Sequence, residues 1–333
     1  MAYATGTASN MEDLMNLLNT FAVAQGWTSN VMNTTNDWMG INNGSVFVQF
    51  RWDNTNAIAM FHSTGFVNTI TAPGNHTNDD GCGSVDASAP YNAAISAGRR
   101  ISGMGNGPYT AYHFFTDGTT QYIHVVLEYS PGLYRHFSFG TIDKIGTWTG
   151  GQYAVGMSLG SNPGLVNNSQ HSILWSGVDS GSTNADANEC GSMRVESFPN
   201  QTGSMRWQLF SQQTSTIGND RGGNARITCP GGFLSGNPWL SAFGFFRANL
   251  LNGFVPLIPI PVWWRDTTPA PDQYMLLGFA PDVYHIQMAN LSPGQEFTIG
   301  SDTFKVFPVI RKQDTSSSVE ESKNCGVAYR KVP

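Results

Sequence analysis

The stretch Thr110–Tyr129 constrains the fold of this chain more than any other part of the sequence. Two segments rich in aromatic and β-branched residues, Thr110–Phe115 and Gln121–Tyr129, flank the tetrapeptide Thr116-Asp117-Gly118-Thr119. Asp-Gly is a preferred centre for a tight hairpin turn, since glycine accepts the positive φ angle that such turns need. The sequence therefore predicts two antiparallel strands. The second strand has two differently composed faces, with Ile123, Val125, Leu127 and Tyr129 on one and Tyr122, His124, Val126 and Glu128 on the other.

Further strands are predicted on both sides of this hairpin, from alternation and from turn residues. Before it, Ser45–Trp52 alternates and is expected to pair with Asn56–Gly65. After it, Tyr134–Gly140 is a short aromatic strand. The last third of the chain is also read as β, with strands expected at Pro256–Trp264 and Gln273–Phe279, a hairpin over Phe297–Ile310 that turns at Gly300-Ser301-Asp302, and a closing strand at Val327–Tyr329.

One helix is predicted near the start of the chain. Apolar residues recur at steps of three and four, which gives one apolar helical face over about Asn10–Ala24. Ser9 and Glu12 match the capping box that satisfies free N–H groups at a helix start. Gly26 can supply the left-handed residue that ends the helix.

These elements predict a mainly β chain with β-sandwich-like sheets, an N-terminal helix that covers one sheet face, and long loops. We expect an N-terminal domain over residues 1–158 and a polar, loop-rich insertion or arm over residues 159–235, with only short β-like pieces. A C-terminal β-rich region, 236–333, is expected to pack on the first domain or to continue it. Residues 2–9 and 313–324 lack an apolar pattern and are predicted to be arms.

Charged residues make up only 12% of the chain, against about 25% in an average protein. The net charge is −6, and the 17 lysines and arginines are scattered, which argues against nucleic-acid binding. The most apolar run, Phe254–Trp264, has 11 residues including three prolines, whereas a membrane-spanning helix needs about 20 apolar residues. The first residues lack the pattern of a secretory signal, so we expect synthesis in the cytoplasm.

The sequence offers little that would bind a metal. The cysteines, Cys82, Cys190, Cys229 and Cys325, form no C-x-x-C pair. His113 and His124 can approach each other across the hairpin, but we expect stacked polar residues on a sheet face there rather than a metal site. The turn Asn78-Asp79-Asp80-Gly81 lacks the ligand spacing of a calcium loop.

The sequence also offers no recognisable catalytic motif. It contains no G-x-S-x-G, and the glycine-rich segment Gly103–Gly107 is not followed by the Lys-Ser/Thr of a phosphate loop. The stretch Tyr134–Tyr153 contains Arg135, His136, Asp143 and Lys144, which we interpret as isolated charges on the corner of a β scaffold. We predict no catalytic residue, no metal and no cofactor.

Several segments resemble a known group of proteins. Ala4-Thr5-Gly6-Thr7-Ala8, Asp13-Leu14 and the helix leading into Gly26-Trp27 resemble the opening of tailed-bacteriophage virion proteins. The hairpin, the strand after it and the turn Trp148-Thr149-Gly150-Gly151 resemble their middle, and Val306–Lys312 with Gly326–Lys331 resembles C-termini from phage structural genes. The resemblance covers about the first 155 residues and the last 30, and it implies no catalytic residue.

This resemblance implies a structural subunit of the virion, in the tail, baseplate or neck. Such a subunit is made in the bacterial cytoplasm and assembles symmetrically with copies of itself and with other virion proteins. One alternative is a carbohydrate- or receptor-binding module that contacts host surface glycan through tryptophan rings, and a weaker one is an envelope-degrading hydrolase. The tryptophans considered for interaction are Trp38, Trp148, Trp263 and Trp264, with Trp52 also available.

Overall fold

The structure is a computed structural model, and it describes residues 2–35, 37–52, 57–66, 76–77, 100–102, 104–119, 121–157, 191–195, 207–209, 225–228, 255–266, 273–312 and 325–332. The first elements are β1 (Tyr3–Ala8), α1 (Met11–Ala24), β2 (Thr28–Asn33), β3 (Trp38–Asn42), β4 (Phe47–Trp52), β5 (Ala57–Ser63), β6 (Gly65–Phe66), β7 (His76–Thr77) and β8 (Arg100–Ser102). Next come β9 (Tyr109–Phe115), β10 (Tyr122–Ser130), β11 (Leu133–Thr141), β12 (Asp143–Lys144), β13 (Gly150–Gly156), β14 (Gly191–Val195) and β15 (Trp207–Leu209). The last are β16 (Ala225–Thr228), β17 (Ile258–Asp266), β18 (Gln273–Gln287), β19 (Glu296–Ile299), β20 (Asp302–Pro308) and β21 (Cys325–Lys331).

The strands form three larger antiparallel sheets. The central sheet has the order β1-β9-β10-β11-β13-β14-β15. The C-terminal sheet has the order β16-β17-β18-β21-β20-β19, and β12 also pairs with β18. The N-terminal sheet has the order β2-β3-β4-β5-β8, and β6 pairs separately with β7. The prediction of a mainly β chain is therefore confirmed.

The central sheet is buried on both faces. On one face it packs against α1 and the N-terminal sheet, in a core that includes Ile123, Val125, Leu127, Phe137, Phe139, Leu14, Leu18, Val48 and Phe50. On the other face it packs against the C-terminal sheet, in a core that includes Tyr122, Val126, Tyr153, Val155, Ile260, Val262, Val283, Val327 and Tyr329. The two faces predicted for the second hairpin strand therefore point into two different cores.

Helix α1 forms where the apolar periodicity predicts it. Its N-cap is Asn10, whose side chain accepts a hydrogen bond of 2.8 Å from the Asp13 N–H, while the Asp13 carboxylate accepts one from the Ser9 N–H. The predicted capping box of Ser9 and Glu12 is thus wrong by one residue, since an asparagine caps a helix as well as a serine does. At the other end Gly26 has φ 91°, and Trp27 N–H donates to Ala22 O over 3.0 Å. This is the glycine-dependent helix end that was predicted.

The predicted hairpins are confirmed. β9 and β10 pair across the Asp117-Gly118 turn, β4 pairs with β5, and β19 and β20 join through Gly300 and Ser301. β21 closes the C-terminal sheet between β18 and β20.

The predicted arm at residues 2–9 is wrong, because Tyr3–Ala8 is β1 and pairs with β9 in the central sheet. The pattern of side chains did not predict this strand, because most of them are small or polar. Hydrogen bonds to β9, rather than an apolar face, define the strand. The second predicted arm, 313–324, lies outside the described residues.

Strands from the predicted insertion join the neighbouring sheets. β14 pairs with β13 and β15 pairs with β14, while β16 pairs with β17. The division of the chain at 158 and 235 stays a prediction. Among the described residues, no helix has the length and apolar character needed to cross a membrane.

Gly278 allows the turn after β11 to meet the C-terminal sheet. β12 pairs with β18 at Asp143↔Phe279 and Lys144↔Gly278, and Ile145 N–H donates to Leu277 O over 2.9 Å. A Cβ atom on residue 278 would overlap the carbonyl oxygen of Asp143. A glycine is therefore required where these two backbones approach.

Candidate functional site

Among the described residues, a group of connected hydrogen-bonding side chains lies between the central and C-terminal sheets. We call it the interlayer network, and it comprises His124, His136, Ser138, Tyr122, Tyr153, Tyr329, Asp282 and the carbonyl groups of Pro281 and Pro308. Alternation along β10 and β11 turns the two histidines and Ser138 to the face that meets the C-terminal sheet. The sequence predicted polar residues on this face but not what they contact.

His124 joins the two sheets. Its Nε2 lies 2.7 Å from the carbonyl oxygen of Pro281 on β18, and its Nδ1 lies 2.6 Å from Ser138 Oγ. A carbonyl only accepts hydrogen bonds, so Nε2 carries the proton of the neutral ring and Nδ1 accepts from the serine hydroxyl. Ser138 Oγ in turn lies 2.9 Å from the hydroxyl of Tyr153. Three side chains of the central sheet are thereby fixed against one carbonyl of the C-terminal sheet.

His136 repeats this arrangement one strand away. Its Nε2 lies 3.0 Å from the carbonyl oxygen of Pro308, and its Nδ1 lies 2.8 Å from the hydroxyl of Tyr329. The carbonyl again fixes the proton on Nε2, so Tyr329 is the donor to Nδ1. The His136 and Tyr329 rings stack with centroids 5.9 Å apart.

A bulge in β18 brings the C-terminal sheet to His124. Pro259 pairs with Tyr284 and Pro261 pairs with Phe279, so residues 280–283 stand opposite Ile260 alone. Asp282 within the bulge has φ 49°, a conformation that aspartate tolerates better than most residues. Its carboxylate accepts a hydrogen bond of 2.6 Å from the Tyr122 hydroxyl and lies 3.4 Å from the Arg330 guanidinium. The bulge therefore supplies both a carbonyl and a carboxylate to the central sheet.

Burial keeps the network's rings uncharged at neutral pH. Burial lowers the pKa of His124 to about 3 and that of His136 to about 4, although their bonds to backbone carbonyls act in the opposite direction. Burial also raises the pKa of Tyr122, assisted by the charge of Asp282 and by the hydrogen bond between them. Burial raises the pKa of Tyr153 and Tyr329 well above the usual tyrosine value. Neutral, hydrogen-bonded rings are the form in which such groups are stable away from water.

The geometry of Ser138 and His124 matches a nucleophile beside its base. The side chains are 0% and 1% exposed, and both histidine nitrogens already have partners. A substrate therefore has no access to the serine hydroxyl in this structure. What the arrangement does is hold two sheets in one register, because each bond requires a particular pair of residues to meet.

His113 lies on the same face of the central sheet as His124, but the two are not direct partners. His113 pairs with Val126, and His124 pairs with Phe115. His113 Nδ1 lies 2.9 Å from both the Tyr3 hydroxyl and Thr5 Oγ1. Among the described residues, no group of three or more His, Cys, Asp or Glu side chains is arranged to hold a metal ion. Cys82, Cys190, Cys229 and the turn at 78–81 lie outside those residues.

The charged residues of Tyr134–Tyr153 are not isolated, which corrects the prediction from sequence. Arg135 is fully buried, with its guanidinium carbon 4.6 Å from the Tyr129 ring centre and a hydrogen bond of 2.9 Å to Tyr134 O. Lys144 Nζ lies 5.4 Å from the centre of the Trp148 ring and donates to Trp148 O. Each of these charges has a packing partner within the scaffold.

The tryptophans considered for interaction differ in accessibility. Trp38 and Trp264 are only 1% and 4% exposed, and Trp52 is fully buried. These three rings are core residues in this structure rather than surfaces for a partner. Trp148 and Trp263 are half-buried.

No family model matches the chain, and no curated protein matches it.

Proposed function

We propose that this protein is a structural subunit of a tailed-phage virion, placed in the tail, baseplate or neck and acting by symmetric assembly. The observation that carries the proposal is the interlayer network. The histidines, tyrosines and serine that could perform chemistry are instead buried and used to fix two sheets to each other. A body built in this way is suited to holding surfaces in fixed positions.

The composition supports the same proposal. Only 12% of the residues are charged, and the cores of protein interfaces are depleted in charge because desolvating a charge costs free energy. A surface made largely of Asn, Ser, Thr and Gly loses little when it is covered by another subunit. The segments that resemble phage virion proteins point to the particle in which such covering occurs. Synthesis in the host cytoplasm, followed by incorporation into the particle, is part of the proposal.

Mass spectrometry of purified particles tests the proposed function. Phage particles from an infected culture are separated on a density gradient and washed, with the major capsid protein of the same fraction as the positive control. We expect the chain to copurify with the particles in a fixed ratio to the capsid protein, and cryo-electron microscopy then gives its position. A chain that is abundant in the infected lysate and missing from washed particles would overturn the proposal.

The half-buried rings of Trp148 and Trp263 favour one second candidate, a module that binds host surface glycan. Aromatic rings with one accessible face stack on sugars, but Lys144 lies over the Trp148 ring. Trp263 is therefore the better anchor. A glycan array that shows binding by the natural chain and none by Trp263→Ala would favour this candidate, and an array without signal would dismiss it. The third alternative, an envelope-degrading hydrolase, gains no support from a Ser138–His124 pair that is closed to substrate.

A further inference from the structure

Strand β1 lies at the edge of the central sheet. It pairs with β9 on one side, from Tyr3↔Phe115 to Gly6↔Tyr112 and, after a register shift, at Ala8↔Tyr109. The extra residue of this shift lies in β9, because Thr7 alone stands opposite Thr110 and Ala111. No strand of the described residues pairs with the other side of β1. Thr5 and Thr7 are exposed. Edge strands carry unpaired N–H and C=O groups that can bind another extended chain, and proteins usually block them with lysine or proline. β1 contains neither of these residues.

The register shows which backbone groups point outward. Thr116 N–H donates to Ala2 O over 2.9 Å. Hydrogen-bonded and non-bonded pairs alternate along antiparallel strands, so Ala4 and Gly6 also bond to β9. The N–H and C=O groups of Tyr3 and Thr5 are therefore directed away from the sheet. Because no described strand pairs with these groups, an extended strand laid beside β1 would meet donors and acceptors at the ladder spacing.

Residues 4–8 of β1 form a palindrome. Ala4-Thr5-Gly6-Thr7-Ala8 reads the same in both directions. Two copies paired antiparallel about Gly6 would place Thr5 opposite Thr7 of the second copy and Ala4 opposite Ala8. Thr–Thr pairs are favourable across strands, and no like charges would meet. This symmetry selects a second copy of the chain as the occupant of the edge.

We propose that two copies of this chain associate through β1, antiparallel about a two-fold axis at Gly6, so that their central sheets become continuous. The inference rests on the proposed function, which requires contacts between copies, and it names one such contact. Residues 2–9 would then contact a neighbouring copy, although they belong to the folded sheet and do not form an arm.

The side chains around β1 hold this edge in place. Thr5 Oγ1 donates to Tyr112 O over 2.8 Å and lies 2.9 Å from His113 Nδ1. At the Tyr3 end, Lys331 Nζ lies 4.8 Å from the tyrosine ring centre and 3.1 Å from Glu296 Oε1. The positive charge of Lys331 is thus paired within its own copy. These contacts also fix the strand before binding, so it loses less conformational entropy when it binds.

Disulfide trapping tests the register directly. Opposed residues of paired strands lie within the range that a disulfide can bridge. On mild oxidation we expect an intermolecular cross-link in the Thr5→Cys/Thr7→Cys double variant and in a mixture of the two single variants. Either single variant alone should give only the background of the natural chain. In this register Thr5 of one copy faces Thr7 of the second copy, so two cysteines at the same position do not meet. Cross-links that form equally in every variant, or in none, would overturn the proposed register.

A proline substitution tests the outward donor. Thr5→Pro removes an N–H that does not bond to β9, and we expect sedimentation equilibrium to show at least a tenfold weaker dimer, because the two-fold axis removes the donor twice (about 1 kcal/mol each). The matched control is Thr298→Pro on β19. Ile299 and Asp302 flank a two-residue turn and are hydrogen-bonded, so the Thr298 N–H also points away from its partner strand.

The outcomes separate this inference from the proposed function. Equal dimer strength in Thr5→Pro and Thr298→Pro would show that copies meet elsewhere, which overturns the β1 contact and leaves assembly standing. A natural chain that remains monomeric at every concentration also overturns the β1 contact. The particle mass spectrometry described above then decides the proposed function independently.

Discussion

The substitution Tyr329→Phe isolates one hydrogen bond of the interlayer network. It removes the hydroxyl that lies 2.8 Å from His136 Nδ1 and leaves the ring, which stacks on Phe115 with centroids 5.0 Å apart. Both side chains are fully buried, so His136 Nδ1 cannot bond water in place of the lost hydroxyl. A buried acceptor left without its donor costs about 1–3 kcal/mol. We expect the free energy of unfolding to fall by that amount.

The assay is urea unfolding followed by tryptophan fluorescence, with Tyr3→Phe as the matched control. Tyr3 also bonds a histidine nitrogen, but Thr5 Oγ1 lies 2.9 Å from the same atom of His113. The Thr5 hydroxyl donates its one proton to Tyr112 O, so it satisfies Nδ1 by accepting a hydrogen bond when that nitrogen carries the ring proton. The control should therefore lose only about 0.5 kcal/mol. An unchanged slope with a lower midpoint identifies a change in stability. Equal losses in the two variants would refute the argument that burial makes the interlayer bonds costly to break.

Three further results are expected. Stability should decline as the pH falls from about 6.5 towards about 3, because the buried ring of His124 stays neutral while its unfolded form gains a proton; this residue alone contributes a loss of about 1.4 kcal/mol per pH unit. Urea midpoints across this range should be less pH-dependent in His124→Gln, and a flat profile for the natural chain would contradict the expected loss. Gly278→Ala should lower the free energy of unfolding by about 1–3 kcal/mol or more, because its Cβ overlaps the Asp143 carbonyl. The control Gly146→Ala, whose Cβ has open space, should show only the smaller cost of a positive φ. Thermal melts in which Gly146→Ala is the less stable variant would argue against the close approach at residue 278. Asn10→Ala should cost about 1 kcal/mol by removing the helix cap, and circular dichroism melts that show a larger effect for Ser9→Ala would restore the capping box.

Local patterns predicted the elements whose stability is decided locally. The Asp117-Gly118 turn, the apolar face of α1 and the Gly300-Ser301 turn each carry their information within a few residues. Alternation also placed Tyr134, His136 and Ser138 on one face of β11, as observed. Short-range rules are sufficient here because turn geometry and side-chain period determine the structure.

Contacts between distant residues could not be predicted in this way. His136 and Tyr329 are separated by 193 positions, and His124 meets Pro281 through a bulge that no motif marks. β1 was missed for a related reason, since Ala4, Gly6 and the threonines form a strand only because β9 lies beside them. Histidines and tyrosines on one strand face therefore predicted a polar layer. Only the C-terminal sheet shows which groups that layer bonds.

The position of β21 has a consequence for biosynthesis. It lies between β18 and β20, both of which leave the ribosome earlier, and it contributes Tyr329 to the core beneath the central sheet. Until Cys325–Lys331 emerges, the C-terminal sheet has an open slot in its middle and His136 has no hydroxyl partner. Folding of this half is therefore completed only after synthesis has passed residue 331, so incomplete chains lack the finished C-terminal sheet.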